Sequence, residues 1–274
     1  MQEAIEFEIV DVFAETARAG NQLAVIRNAA TLSDATMQSI AREFDFSETT
    51  FVCAHDGDRA RVRIFTPGQE LPFAGHPTLG TAWTLTRGRA SITLDLDAGA
   101  VPVTFHDGIA WMQPPPTQLG RSISRSEAAE LLGLRENDID AEIAPISARC
   151  GPLFRLIGVR SSDALRRAKM TVPASPGADG AAFVFCRGGY SAHADFAARM
   201  LFFDGSTIRE DPATGSANSA FAAYLRSLGR AGDITVEQGF EIGRPSRIYL
   251  DVGARLRVGG RVQAFASGRL SRFE

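Results

Sequence analysis

The 274-residue chain has a single lysine, Lys169; every other basic residue that it could use at neutral pH is arginine. A pyridoxal Schiff base or a phosphate-loop lysine would have to use that one residue, which lies in LRRAKM, a stretch that reads as a solvated helix end. The three cysteines, Cys53, Cys150 and Cys186, are widely spaced and include no C-x-x-C pair. Such spacing argues against a disulfide framework or a zinc knuckle, fits a reducing cytoplasm, and leaves each cysteine to act as a small buried hydrophobe. His55, His76, His106 and His193 show no H-E-x-x-H or similar ligand spacing. No G-x-G-x-x-G follows a strand-like segment. No metal, nucleotide or covalently held cofactor is therefore expected.

Two further absences concern partners. No apolar run approaches the ~20 residues of a membrane span. No Lys/Arg block is present and the net charge is −3, so neither a membrane nor a nucleic acid is expected as a partner. The opening MQEAIEFEIVDVF has no basic n-region and carries three glutamates, unlike a signal peptide.

What is present is an ordinary core-forming composition, 45% hydrophobic, long enough for one large or two ordinary domains. EFEIVDVF, QLAVI, ETTFVCA and RARVRIFTP alternate like strands, and ASITLDLDAGAVPVTFHDGIAWMQ suggests two or three more. LSDATMQSIAREF reads as a helix with Ser33 as N-cap and Leu32, Met37, Ile40, Ala41 and Phe44 at helical spacing. QPPPTQLG reads as a linker, since a triple proline continues neither a helix nor a central strand. Beyond it, SRSEAAELLGL suggests a helix, and PLFRLIGV, AAFVFCRG, ARMLFF, SRIYLDV and RLRVGGRVQAFASGRL suggest strands.

The strongest internal signal is a repeat. ELPFAGHPTLGTAWTL aligns with EDPATGSANSAFAAYL at a shift of 140 residues, placing Glu70 on Glu210, Pro72 on Pro212, Gly75 on Gly215, His76 on Ser216 and Ala82 on Ala222. Each copy runs into a segment that is apolar on nearly all faces, as a buried helix is. Two like domains follow, each a curved, mostly antiparallel sheet or barrel around its own central helix, an α+β fold. Gly75-His76 and Gly215-Ser216 fall at the helix N-termini, where unpaired N–H groups favour an anion and glycine permits its close approach. Taken as a matched pair, they point to a small carboxylate ligand.

Glu48 raises a separate question. In FDFSETTFVCAH it stands among Phe44, Phe46, Phe51 and Val52, and a buried carboxylate must pair, stay neutral or reach a cavity.

FSETTFV, PFAGHPTLG and EDPATGSA together resemble the PhzF-like family of phenazine biosynthesis. The likeness extends from GNQLAVI near the start to QGFEIGRPSRIYL near the end. The resemblance implies the diaminopimelate epimerase-like fold, with two pseudo-symmetric domains, the site between them, and a homodimer. We expect one half at 1–116, with the C-terminal strand 262–274, and the other at 117–261. The epimerases use two cysteines at the loop positions occupied here by Ala74 and Thr214, so a two-thiol racemisation is not expected. The PhzF-like pattern instead implies Glu48 as the general acid/base, with His76 and Asp211 in the catalytic set. It also implies Asn21, Gly75, Gly215 and Ser216 around the substrate. Desolvation in the cavity would raise the Glu48 pKa and keep it able to give and take a proton. The implied activity is a cofactor-independent isomerisation of the trans-2,3-dihydro-3-hydroxyanthranilate type, and VPASPGADG is a candidate specificity segment.

Other readings of the same residues remain. Glu48 could pair with a surface arginine, His76 could cap a helix, and Asn21 and Asp211 could be turn residues. Ser216, His76 and Asp211 could form a hydrolase triad, although TGSAN is no G-x-S-x-G elbow. A non-catalytic carboxylate-binding or interaction protein is the third possibility.

Overall fold

The computed structural model describes residues 5–88, 90–171 and 181–270. The candidate specificity segment VPASPGADG lies outside the described residues. The chain divides into two compact units, Met1–Pro115 with Gly259–Glu274, and Pro116–Val258.

In the first unit, β1 (Glu6–Val12) pairs antiparallel with β2 (Asn21–Ile26). Helix α1 (Asp34–Phe44) carries the chain over to β3 (Glu48–Asp56), which lies parallel to β2 with Glu48 opposite Leu23. The helix begins where expected: Ser33 Oγ accepts from Thr36 N at 3.2 Å, and Asp34 supplies an acid to the first turn. Its Met37, Ile40 and Ala41 pack with Ile26, Phe51 and Phe65. β4 (Arg59–Phe65) returns antiparallel to β3, and the two-residue β5 (Glu70–Leu71) folds back on β4 with Glu70 opposite Phe65. Helix α2 (Gly75–Thr86) then crosses to β6 (Ile92–Leu96), parallel to β4, and β7 (Gly99–His106) and β8 (Ile109–Met112) complete a meander. The late strand Val262–Arg269 pairs antiparallel with β1.

The sheet wraps α2, which touches β1, β2, β3, β6, β7 and β8. Its buried residues run from Gly75 through Ala82 without a break. A helix with no polar face must be enclosed in this way. Gly80 sets how closely the strands approach: a Cβ there would lie 2.6 Å from Leu23 Cδ2 and 2.8 Å from Val12 Cγ2.

The second unit repeats the same order. After β9 (Gln118–Ser122) and α3 (Arg125–Leu131), β10 (Ile146–Arg149) pairs antiparallel with β11 (Leu153–Gly158). The crossover through α4 (Ser162–Arg167) places β12 (Ala181–Arg187) parallel to β11, and β13 (Phe196–Phe203) returns antiparallel. The hairpin strand β14 (Ile208–Asp211) sets Glu210 opposite Leu201, and α5 (Gly215–Ser227) leads to β15 (Asp233–Gln238), parallel to β13. β16 (Ser246–Val252) follows antiparallel, then β17 (Leu256–Gly260) and β18, the strand Val262–Arg269 already described. Helix α5 is buried continuously from Gly215 to Leu225. Phe221 at its centre lies 4.4 Å from Phe185 and 5.1 Å from Phe196, ring centre to ring centre.

Several strands depart from the sequence reading. The end of the proline-rich linker is strand β9, paired with β10; its five residues are all exposed, so no alternation marks it. The short β10 and β14 carry too few residues to show a period. β15 does alternate, with Ile234 and Val236 buried, but lay outside the anticipated strands.

Filling the space at Gly80 should cost more than the helix propensity gained. Gly80→Val is expected to lower stability by about 1–3 kcal/mol, the usual penalty for overpacking. Urea unfolding measures this, and an unchanged midpoint would show that Leu23 and Val12 can retreat.

Candidate active site

In the first unit three elements bring their ends together. Glu48 opens β3, Asn21 opens β2, and Gly75-His76 open α2. Alternation along β3 resolves the placement of Glu48. Phe51 turns into the apolar cluster beneath α1, with Phe44 and Phe65. Thr50, of the same parity as Glu48, turns toward α2 and meets Thr81, Oγ to Oγ at 2.8 Å. The carboxylate thus leaves the strand on the helix side, away from the phenylalanines that flank it in sequence. Its side chain is 15% exposed and its Oε2 lies 3.6 Å from His76 Nε2.

His76 is buried, and Asn21 Nδ2 lies 3.2 Å from its Nδ1. Its Nε2, the nitrogen nearest Glu48, has no hydrogen-bond partner among the described residues. Burial pushes the imidazole down to about 3, a pull only partly opposed by the Gln22 backbone. His76 is therefore neutral near pH 7. Gly20, just before Asn21, has φ +70°, and a Cβ there would lie 2.3 Å from Val12 O, so only glycine makes this turn.

In the second unit the corresponding loop is built differently. Asp211 ends β14, and its Oδ2 accepts from Thr214 Oγ1 at 2.5 Å. Gln238, fully buried at the end of β15, makes three hydrogen bonds to the loop and one to Asn218 of α5. Its Oε1 accepts from Thr214 N and Asn218 Nδ2, both at 3.2 Å. Its Nε2 donates to Asp211 O at 2.9 Å and Thr214 Oγ1 at 3.1 Å. Gly215 and Ser216 form the first turn of α5 and are buried.

Neither helix start has a side-chain cap or an acid in its first turn, although the N-caps Ala74 and Thr214 are extended. The N–H groups of Gly75 and His76, and of Gly215, Ser216 and Ala217, precede the first intrahelical donors, Thr78 and Asn218. Pro77 removes one such donor from the first copy. Both starts suit an anion.

The repeated glutamates turn out to hold the hairpins. Arg63 Nε and Nη2 each lie 2.7 Å from the Glu70 carboxylate. Arg199 grips Glu210 with Nε at 3.1 Å and Nη2 at 2.6 Å, and its Nη1 also reaches Leu165 O and Ala168 O, both at 3.0 Å. A second correspondence, not anticipated, is again spaced by 140 residues: Thr78 Oγ1 donates to Ala74 O at 2.7 Å, and Asn218 Nδ2 to Thr214 O at 3.0 Å. Aligning the copies one turn further into each helix would have found it. Gln238 has no such signal, since it lies 24 residues past Thr214.

Within the first unit both ring nitrogens of His76 face Asn21 and Glu48, an arrangement unlike a serine triad. Burial pushes the Cys150 and Cys186 thiols up to about 11, so neither is a ready thiolate. Among the described residues no group of three or more His, Cys, Asp or Glu is placed to hold a metal ion, and no helix is long and apolar enough to cross a membrane.

Residues 10–268 match the model of the phenazine biosynthesis-like proteins, PhzC-PhzF. The chain is 36% identical to an uncharacterised isomerase of Mesorhizobium japonicum, over 96% of this chain and 97% of the relative. It is 37% identical to the trans-2,3-dihydro-3-hydroxyanthranilate isomerase of Pseudomonas aeruginosa, over 96% and 98%. A solved structure of a predicted epimerase from P. aeruginosa superposes with a TM-score of 0.83 at 33% identity, covering 99% of this chain and all of the other.

The buried imidazole carries a stability signature. Between pH 6.5, the ordinary histidine value, and about 3, the unfolded chain holds a proton that folded His76 does not. The contribution is thus fully present above pH 6.5 and falls as the solution is acidified, by up to about 1.4 kcal/mol per pH unit. Urea unfolding of wild type and His76→Asn from pH 7 to 4.5 (roughly the working range of such titrations) should show the shallower decline in the variant. Parallel declines would mean that the ring takes up a proton in the fold.

Proposed function

We propose, from the premise that the chain belongs to the phenazine biosynthesis-like (PhzF) family of isomerases, that Glu48 moves a proton between two carbons of a small carboxylic acid without a cofactor. The carrying observation is a carboxylate at a strand end, mostly shielded from water, with a neutral imidazole 3.6 Å away. The Glu48 carboxylate takes a proton from one carbon, and the C–H electron pair shifts into the adjoining double bonds. The resulting carboxylic acid returns the proton at the far carbon, so the composition of the substrate is unchanged. In the trans-2,3-dihydro-3-hydroxyanthranilate type of reaction this leads to a ketone.

His76 acts as a neutral ring held in place by Asn21. Its low proton affinity makes it a positioning group rather than the proton carrier. We assign Asp211 to the same substrate, as an acceptor for its amino or hydroxyl group. The amides at Gly75 and at Gly215-Ser216 hold the carboxylate. These assignments rest on the family motifs and on the uncapped helix starts. A homodimer in the cytoplasm belongs to the same reading.

The test is solvent deuterium. The protein is incubated in D2O with trans-2,3-dihydro-3-hydroxyanthranilate and with other small amino and hydroxy carboxylic acids. Deuterium should appear at carbon in at least one of them. Glu48→Gln should slow this by roughly 10²–10⁴-fold, the range for loss of a general acid/base. Full exchange by a folded Glu48→Gln protein would refute the assignment. Covalent labelling of Ser216 by a serine-directed reagent would instead favour the hydrolase.

A further inference from the structure

The motif QGFEIGRPSRIYL has so far no role beyond family likeness, yet its first two residues press on the Asp211 loop. We infer that Gln238 is a positioning residue that fixes the Thr214 hydroxyl proton on Asp211, and that Gly239 lets the strand end seat against that loop. The inference rests on the assignment of the Asp211 loop to the substrate.

The orientation of the Gln238 amide follows from its backbone partners. Thr214 N–H can only donate and faces Oε1; Asp211 C=O can only accept and faces Nε2. Flipping the amide would oppose donor to donor and acceptor to acceptor. Nε2 therefore donates its second hydrogen to Thr214 Oγ1. A hydroxyl that accepts from Gln238 has its own proton left for its other neighbour, Asp211 Oδ2. The chain of donors runs one way, from Gln238 through Thr214 to Asp211. It marks Oδ2 as the oxygen already engaged and makes Asp211 an acceptor toward the protein.

Two observations separate this from ordinary packing. The first copy ties its loop down without a side chain: Ala98 N–H donates to Pro72 O at 3.0 Å, and residue 98 is the counterpart of Gln238 at the 140-residue shift. A backbone bond thus suffices to hold such a loop, and the second copy has a four-bond amide at that place. Gly239, with φ +79°, is the next residue; a Cβ there would lie 2.5 Å from Pro212 O, so any side chain would push the loop away.

Gln238→Glu keeps the shape but, ionised, has no hydrogen to donate, so the Thr214 hydroxyl turns to the new carboxylate and leaves Asp211. Thr214→Val removes the link at constant volume, and Thr214→Ser restores it. With trans-2,3-dihydro-3-hydroxyanthranilate in D2O, kcat for isotope uptake should fall at least tenfold in Gln238→Glu and Thr214→Val. KM should change less than threefold, and Thr214→Ser should recover to within threefold of wild type. Wild-type kcat in a folded Gln238→Glu protein, or a Thr214→Ser as poor as Thr214→Val, would overturn the inference. If Gln238→Glu does not fold, the Thr214 pair decides. A second readout needs no substrate: the Thr214 hydroxyl proton should exchange slowly by NMR in the wild type, with a cross-peak to Asp211, and lose that cross-peak in Gln238→Glu. Should the wild type take up no deuterium, the proposed function fails, and the NMR result alone tests the donor chain. A cross-peak retained in Gln238→Glu would overturn it.

Discussion

Two helices with no polar face govern this molecule. A helix such as α2 or α5 cannot lie on a surface, because nowhere around its circumference is there a side that tolerates water. Each must be surrounded, and a twisted sheet fed by right-handed crossovers is the structure that surrounds it. Enclosure fixes the helix axis and leaves its ends as the places where the backbone can meet a ligand. At both N-termini the usual cap is missing. A serine or aspartate at position 74, or an acid in the first turn, would satisfy the free N–H groups internally; the chain has Ala74, and Thr214 turns its hydroxyl to Asp211 instead. The positive ends of both helices are thus kept available, which is a cost to the helix that a bound anion would offset.

The arginine–glutamate pairs explain why the duplication kept its glutamates. The strand that precedes each helix is short, Glu70–Leu71 in one unit and Ile208–Asp211 in the other. A two-pronged arginine from the preceding strand locks the glutamate in register. The Arg199–Glu210 pair is more enclosed, with side chains 12% and 7% exposed, and removing one partner would strand a buried charge. Glu70 and Glu210 thereby belong to the frame, whereas Glu48 faces the helix side of a strand whose other face is packed with phenylalanine.

Much of this was legible in the chain because it depends on periodicity and on repeated local chemistry. The all-round apolar character of PTLGTAWTL and SANSAFAAYL marks buried helices, and their repeat at one spacing marks two like units. Ser33 announces α1 through its own hydroxyl. What stayed hidden depends on contacts distant in sequence. That Glu48 leaves β3 toward α2 is decided by which face α1 covers. The neutrality of His76 comes from the degree of its burial, which no motif encodes. Gln238 meets Thr214 only because β15 runs parallel to β13, a pairing made across the whole of α5. Strand β9 was missed for the opposite reason: it is wholly exposed, so the alternation that betrays a strand is absent.

The frame is duplicated but its chemistry is not. Equivalent hairpin positions hold Leu71 opposite Ile64 in one unit and Asp211 opposite Met200 in the other. Equivalent helix starts hold His76 and Ser216, and equivalent N-caps hold Ala74 and Thr214. Racemisation needs matched groups on two sides of one carbon, and a symmetric pair of loops is the natural scaffold for it. Shifting a hydrogen from one carbon to another on the same face needs a single carboxylate that changes state twice, while every other group holds still. The first unit has an imidazole too reluctant to take a proton, and the second a hydroxyl whose own proton is already directed to Asp211. On this reasoning the divergence of the two loops fits the proposed reaction, in which one group titrates and the others need only hold their protons in place.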